Sequence, residues 1–121
     1  MQHQSFSFPH NRLDVFRVAL DMAVQAKRVA DRVPRGHRSL ADQLLRASGS
    51  TVLLIGEGAN RYTAGSKRQR YSEAKGECGE SAAAAELLAA LALVPMTECE
   101  ELLTLAGRVA AMLTRLLKRF A

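Results

Sequence analysis

The densest positive charge of the chain lies in a short stretch that follows Asn60. It contains five cations, Arg61, Lys67, Arg68, Arg70 and Lys75, with Tyr62 and Tyr71 among them. Lysine and arginine neutralise phosphates and release counterions, and a tyrosine ring can stack on an unpaired base. We therefore predict phosphate contacts at four of these cations, Arg61, Lys67, Arg68 and Arg70. The alternative is a solvated loop whose charges keep the protein in solution.

A second basic group comprises Lys27, Arg28, Arg32, Arg35 and Arg38. It lies at the end of a predicted helix and in the turn after it, where positive charge suits the helix dipole. A structural explanation therefore suffices for most of this group. We place Arg35 and Arg38 behind the first group as further nucleic-acid contacts. The predicted topology puts the two groups at different turns, so they do not form one patch within a subunit.

No residue pattern in the chain indicates catalysis. His3, His10 and His37 fall in the N-terminal tail or in a turn, and none belongs to a helical zinc or di-iron motif. Cys78 and Cys99 are isolated, without a histidine at ligand spacing, so we expect small core residues rather than zinc ligands. The expectation is a protein that is not an enzyme, with no catalytic residue, metal or cofactor.

Length and charge narrow the class of protein. With 121 residues the chain is long enough for one domain with a core of its own. Residues 1–75 hold 13 Lys and Arg against 6 Asp and Glu, and residues 76–121 hold 4 against 6. A basic half favours an acidic partner such as nucleic acid. No apolar run of about 18 residues predicts a membrane span and no leader pattern opens the chain, so we expect a cytoplasmic protein.

Four helical patterns, separated by short turns, must position these residues. We predict helices from about Leu13 to Val33, from an N-cap at Ser39 to Asn60, from a Ser66–Gln69 capping box to Pro95, and from a Thr97–Glu100 capping box to Phe120. Short connections make successive helices antiparallel. The fold class is therefore all-α, an up-down-up-down four-helix bundle over residues 12–121 behind a tail of residues 1–11. Glu57 and Arg61, four residues apart, should pair on the second helix.

Two helices carry more apolar surface than one bundle needs. On the first helix two neighbouring apolar stripes span half the circumference, and the third helix has leucines opposite a face of small residues. The surplus predicts a homo-oligomer, since rings need apolar patches on more than one face. Candidate interface residues are Val15, Val18, Met22, Leu53, Leu87 and Leu91.

Several short motifs resemble one family of bacterial four-helix-bundle proteins. They are Leu13–Phe16, Asp42–Ala47, Ser50 with Ile55–Arg61, Ser66–Lys67, Ala74–Gly76 and Glu80. The family includes proteins encoded in intervening sequences of 23S ribosomal RNA genes and accessory variability proteins of diversity-generating retroelements. The similarity covers nearly all of residues 12–120. The chain departs from the usual pattern at Gly56, at Arg70-Tyr71 and at Glu77, and the last change adds negative charge to the third helix.

The resemblance implies an antiparallel bundle that assembles into a pentameric ring. It also implies, for accessory members, a basic protein that binds nucleic acid together with a reverse transcriptase. Combined with the basic stretch, it favours a non-enzymatic oligomer that serves as an accessory scaffold and binds RNA or DNA. The alternative is an adaptor that binds proteins through its apolar helix faces and binds no nucleic acid.

Overall fold

The computed structural model describes residues 8–121, and within that range the chain is helical, without a strand. The four α-helices are α1, Asp14–Arg32, α2, Arg38–Asn60, α3, Ala64–Ala90, and α4, Met96–Arg119, with short 3-10 helices at Pro9–Arg12 and Arg35–His37. The predicted all-α fold with four helices is confirmed. Residues 1–7 of the predicted tail, His3 among them, lie outside the described residues. In residues 8–121 no helix combines the length and apolarity needed to cross a membrane.

Each helix packs against two others, which closes the four into a bundle. α1 and α3 both pack against α2 and α4. At one end of the bundle, Nδ2 of Asn60 lies 2.8 Å from Nδ1 of His10, which joins the end of α2 to the start of α1. At the other end, Arg32 on α1 pairs with Glu98 on α4 at 3.2 Å. Successive helices therefore run in opposite directions, as short turns require.

The predicted N-caps are wrong by two or three residues. α2 begins at Arg38 and has no side-chain cap, so Ser39 lies inside it. Thr63 caps α3, and its Oγ1 accepts a hydrogen bond from the backbone N–H of Ser66 at 3.1 Å. α4 begins directly after Pro95, which places Thr97 in its first turn. Proline and threonine are both common at helix starts. The sequence pattern therefore located the helices but did not identify which residue is the N-cap.

α3 also ends earlier than the predicted stop at Pro95. Its last residue is Ala90, and the backbone of Ala92 takes a left-handed conformation with φ of 59°. The N–H of Leu93 then donates to the carbonyl of Leu88 at 3.0 Å, the bond that closes a Schellman turn. Glycine usually holds this position, and its absence removed the signal that marks such an end.

Small side chains allow α2 and α3 to approach closely. Ala47 and Ser48 of α2 and Ala74 and Ser81 of α3 are all buried. The buried hydroxyls of Ser48 and Ser81 lie 3.2 Å apart across the interface, and Ser81 also donates to the carbonyl of Glu77. Because both polar groups are paired, their burial carries little penalty.

Much of the apolar surface of α1 is buried within the subunit, although Leu20 and Val24 stay exposed. Val15, Val18 and Met22 are 4%, 8% and 0% exposed and belong to the core between α1, α2 and α4. Their predicted role in a subunit interface is wrong for this reason, since little of their surface remains for a second chain. α1 needs a wide apolar surface because it packs against two helices at once.

Candidate nucleic-acid interface

A three-residue turn, residues 61–63, connects α2 to α3 and is held on both sides. The N–H of Arg61 donates to the carbonyl of Gly58 at 3.3 Å, which closes α2. The side chain of Thr63 caps α3, and its carbonyl accepts from the N–H of Lys67 at 3.0 Å. Tyr62, between the two anchored residues, is 97% exposed. The turn therefore presents one aromatic ring to solvent from a fixed backbone.

Lys67 serves the fold rather than the surface. Its half-buried ammonium donates to the carbonyl of Ala59 at 2.8 Å and lies 3.4 Å from that of Gly58. Both carbonyls belong to the last turn of α2, where the negative end of the helix dipole lies. Lys67 is therefore a cap supplied by the next helix, and its charge is already used within the chain.

Two of the predicted phosphate contacts share a carboxylate. Oε1 of Glu57 lies 3.7 Å from Nη2 of Arg61 and 3.5 Å from Nε of Arg70. Arg70 also donates to Glu73 at 2.5 Å and is largely covered, with its Nε buried and outside hydrogen-bond geometry. The predicted pair of Glu57 and Arg61 is confirmed. Arg68, by contrast, is exposed and has no acidic partner within residues 8–121.

Tyr71 is not a surface residue, so a stacking role for it is wrong. It is 2% exposed, and its ring lies 5.9 Å from that of Phe120, tilted by 37°. Burial raises the pKa of its hydroxyl, and the nearby charge of Arg119 partly opposes the rise. Tyr71 therefore joins α3 to the end of α4 as part of the core.

The end of α4 brings further cations to the same end of the bundle. Arg119 and Lys67 line one small cavity of about 150 Å³, together with Tyr71 and Phe120. We call the exposed cations here the basic end: Arg12, Arg61, Arg68, Lys118 and Arg119. Apart from Arg61, none of them has an ion pair within residues 8–121. Sequence reasoning left out Arg12, Lys118 and Arg119, although the antiparallel order of four helices was enough to place them beside the turn.

A family model described as 23S rRNA-intervening sequence protein matches residues 11–115. The chain belongs to this family. The match confirms the resemblance to intervening-sequence proteins and includes the turn with Arg61 and Arg68. Lys118 and Arg119 lie beyond the matched residues. No individual curated protein matches this member of the family.

Arg35 and Arg38 lie at the other end of this intervening-sequence family member. Both are exposed, Arg35 in the connection between α1 and α2 and Arg38 as the first residue of α2, where its Nε lies 3.7 Å from Oδ1 of Asp42. The neighbouring cation Lys27 is paired with Asp31. The structure therefore places Arg35 and Arg38 at the opposite end from the cations that follow Asn60. The predicted topology required this separation.

The other three predicted interface residues lie on the surface. Leu53 on α2, Leu87 on α3 and Leu91 after α3 are exposed. Leu87 borders a shallow groove of about 200 Å³ between α2 and α3, which is also lined by Leu40 and Ala84. These positions remain predictions for contacts between subunits in this family member.

Proposed function

We propose that this protein is a non-enzymatic, cytoplasmic nucleic-acid-binding scaffold that holds phosphates at its basic end. The observation that carries the proposal is the convergence of Arg12 before α1, Arg68 at the start of α3 and Lys118 and Arg119 at the end of α4. All four are exposed and lack an acidic partner within residues 8–121. The name of the family refers to 23S rRNA, which supports RNA as the first ligand to test.

Charge explains how such a surface would bind without recognising sequence. Each cation that neutralises a phosphate releases a counterion, so affinity falls as salt rises. Lys67 and Arg70 contribute little, because their charges are engaged by carbonyls and carboxylates of the same chain. The interface we propose is thus centred on Arg68 and the end of α4. It is not spread over all the cations between Arg61 and Lys75.

A charge-reversal pair tests the proposal. Arg68→Glu and Arg28→Glu change the net charge equally, and both side chains are exposed without an ion pair within residues 8–121. Arg28 lies toward the opposite end, on α1. Fluorescence-anisotropy titrations with a short labelled RNA at several salt concentrations should show weaker binding and a log–log salt slope smaller by at least about 1 for Arg68→Glu. Equal losses in both variants would leave only non-specific attraction to net charge, and no binding at low salt would overturn the proposal.

We also propose that the protein is a homo-oligomer, a pentamer by resemblance, with exposed Leu53, Leu87 and Leu91 at its contacts. Repetition of the basic end around a ring would strengthen a weak single contact through multivalency. Light scattering tests this, since a particle near 13.2 kDa at micromolar concentration is a monomer. Leu87→Asp should dissociate the oligomer without unfolding the chain, because the side chain already faces solvent.

The rival function is a protein-interaction adaptor. The apolar groove beside Leu87, with Leu40 and Ala84, is the observation that favours it. An adaptor would lose partner binding in Leu87→Asp and show no RNA binding in the titration above. A reverse-transcriptase partner rests on the resemblance to accessory variability proteins alone.

A further inference from the structure

Tyr62 is exposed to a degree that folding does not explain. At 97% exposure its ring contacts almost nothing within residues 8–121, whereas the only other tyrosine of the sequence, Tyr71, is buried. An aromatic ring in water forgoes the favourable burial that such a side chain usually obtains. Tyr62 therefore stabilises the folded chain very little and is available for an intermolecular contact.

The backbone that carries the ring is anchored before any ligand arrives. Arg61 is tied to the end of α2 through Gly58, and Thr63 caps α3 through Ser66. Tyrosine has only two side-chain torsions, so fixing its backbone removes much of the freedom that binding would otherwise have to remove. Such preorganisation suits a contact residue in a turn.

The end of the bundle that carries Tyr62 combines positive charge with a second exposed ring. Arg61 is adjacent in sequence, and exposed Arg68 lies in the first turns of α3. Phe8 is 60% exposed and stacks on His10, which contacts Asn60 at the end of α2. Aromatic rings among cations are the elements with which proteins hold unpaired nucleotides.

We propose that the basic end binds unpaired nucleotides, with one base stacked on Tyr62 and the flanking phosphates on Arg61 and Arg68. The inference rests on the proposed nucleic-acid function and specifies its ligand. In a duplex the bases are already stacked on each other, so an exposed ring finds no free base face there. Phosphate contacts alone would bind a duplex too, without any need for Tyr62.

The chain contains no tryptophan, which makes a direct test available. Tyr62→Trp places a single fluorescent indole at the proposed contact and keeps a stacking ring. Met96→Trp, at an exposed position at the start of α4 and at the opposite end of the bundle, is the matched control. Each protein is titrated with an unstructured RNA and with the same RNA annealed to its complement, while anisotropy of a label on the RNA reports binding independently.

Stacking predicts that the unstructured RNA quenches the indole of the Tyr62→Trp protein and leaves the fluorescence of the Met96→Trp control unchanged. It also predicts that Tyr62→Ala lowers affinity for this RNA by roughly 5- to 150-fold, the effect of losing one stacked base. The duplex should quench the Tyr62→Trp protein weakly, and Tyr62→Ala should bind the duplex as the wild type does.

Three results would overturn the inference. If anisotropy shows that RNA binds but the Tyr62→Trp protein is not quenched, phosphate binding stands and the stacking of a base on Tyr62 is wrong. Equal quenching by duplex and single strand would remove the preference for unpaired nucleotides. A blue shift of the indole emission in Tyr62→Trp with rising protein concentration, without RNA, would show that a second copy of the chain covers the ring. Absence of RNA binding by either measure would instead overturn the proposed function on which the inference rests.

Discussion

A Cβ atom on Gly58 would lie 2.6 Å from Cε1 and 2.8 Å from Cδ1 of Tyr71, closer than packed atoms approach. The ring of Tyr71 therefore lies against the bare backbone of α2, within its last turn. Phe120 packs against the same ring from the end of α4. A single glycine thus allows three helices to meet at the basic end, and the fold of the candidate interface depends on it.

We expect Gly58→Ala to destabilise the protein although alanine favours helix. The added methyl group overpacks a buried ring that Phe120 prevents from moving, which should lower the free energy of unfolding by about 1–3 kcal/mol. Gly49→Ala, on the same helix with no atom within 4 Å of the new Cβ, should raise it by about 0.5–1 kcal/mol. Urea denaturation of both variants decides, and equal stability would contradict the close approach.

Lys67 and Arg68 should separate stability from binding. Lys67→Met keeps the aliphatic chain but removes the cap on the last carbonyls of α2, so we expect a loss of about 0.5–1 kcal/mol in the free energy of unfolding. Arg68→Met should leave that free energy nearly unchanged and weaken RNA binding. Denaturation and anisotropy on the same two proteins measure both effects. If Lys67→Met instead weakened RNA binding without loss of stability, Lys67 would be a phosphate contact rather than a cap of α2.

The pH dependence of stability should report the contact between Arg46 and Glu80. Nη1 of Arg46 lies 3.3 Å from Glu77 and Nη2 lies 2.5 Å from Glu80, which also accepts from Gln43. The hydrogen bond from Arg46 holds the pKa of Glu80 below its ordinary value of 4.5. The unfolded chain thus takes up this proton first as pH falls, so the stabilisation is present above about 4.5 and is lost below it.

Arg46→Met should reduce the loss of stability that acid causes. Thermal melts at neutral pH and below pH 4.5 should show a smaller drop in Tm for the variant than for the wild type, and added salt should shrink the difference. The control is Lys75→Met, which removes an exposed cation of α3 without an ion pair in residues 8–121. It should show the same drop in Tm as the wild type. A drop in Tm as large in Arg46→Met as in the wild type would contradict the effect of Arg46 on the pKa of Glu80.

Cys78 should be inert in the folded protein. Its thiol is buried, with Sγ 3.2 Å from the carbonyl oxygen of Ala106, and burial raises its pKa from 9.0 to about 11. A neutral, inaccessible thiol does not react, so labelling by a thiol reagent near neutral pH should be slow until urea unfolds the chain. Cys99 is buried as well and should behave alike. Rapid labelling of both without denaturant would contradict this burial.

The raised pKa of Cys78 also has a consequence at high pH. The unfolded chain loses this proton near pH 9 and the folded chain only near 11, so the contribution is present below about 9 and is lost as pH rises towards 11. Cys78→Ala should remove this part of the alkaline loss of stability. Denaturation of both proteins at neutral pH and above pH 9 measures it.

The sequence by itself determined the features that depend on near neighbours in the chain. Helical periodicity and the turn residues gave four helices, and the spacing of Glu57 and Arg61 gave their ion pair, since residues four apart share a helix face. Short motifs along the chain were enough to indicate the family. Each of these properties depends on a few consecutive residues, which is why a single sequence reveals them.

Only the tertiary structure decided what each charged and aromatic residue does. Lys67 and Arg68 look equivalent in the sequence, yet one caps α2 and the other faces solvent. Tyr62 and Tyr71 flank the same cations, but α2 buries only the second, because its backbone lies open at Gly58. These outcomes depend on contacts between helices, which local periodicity does not specify.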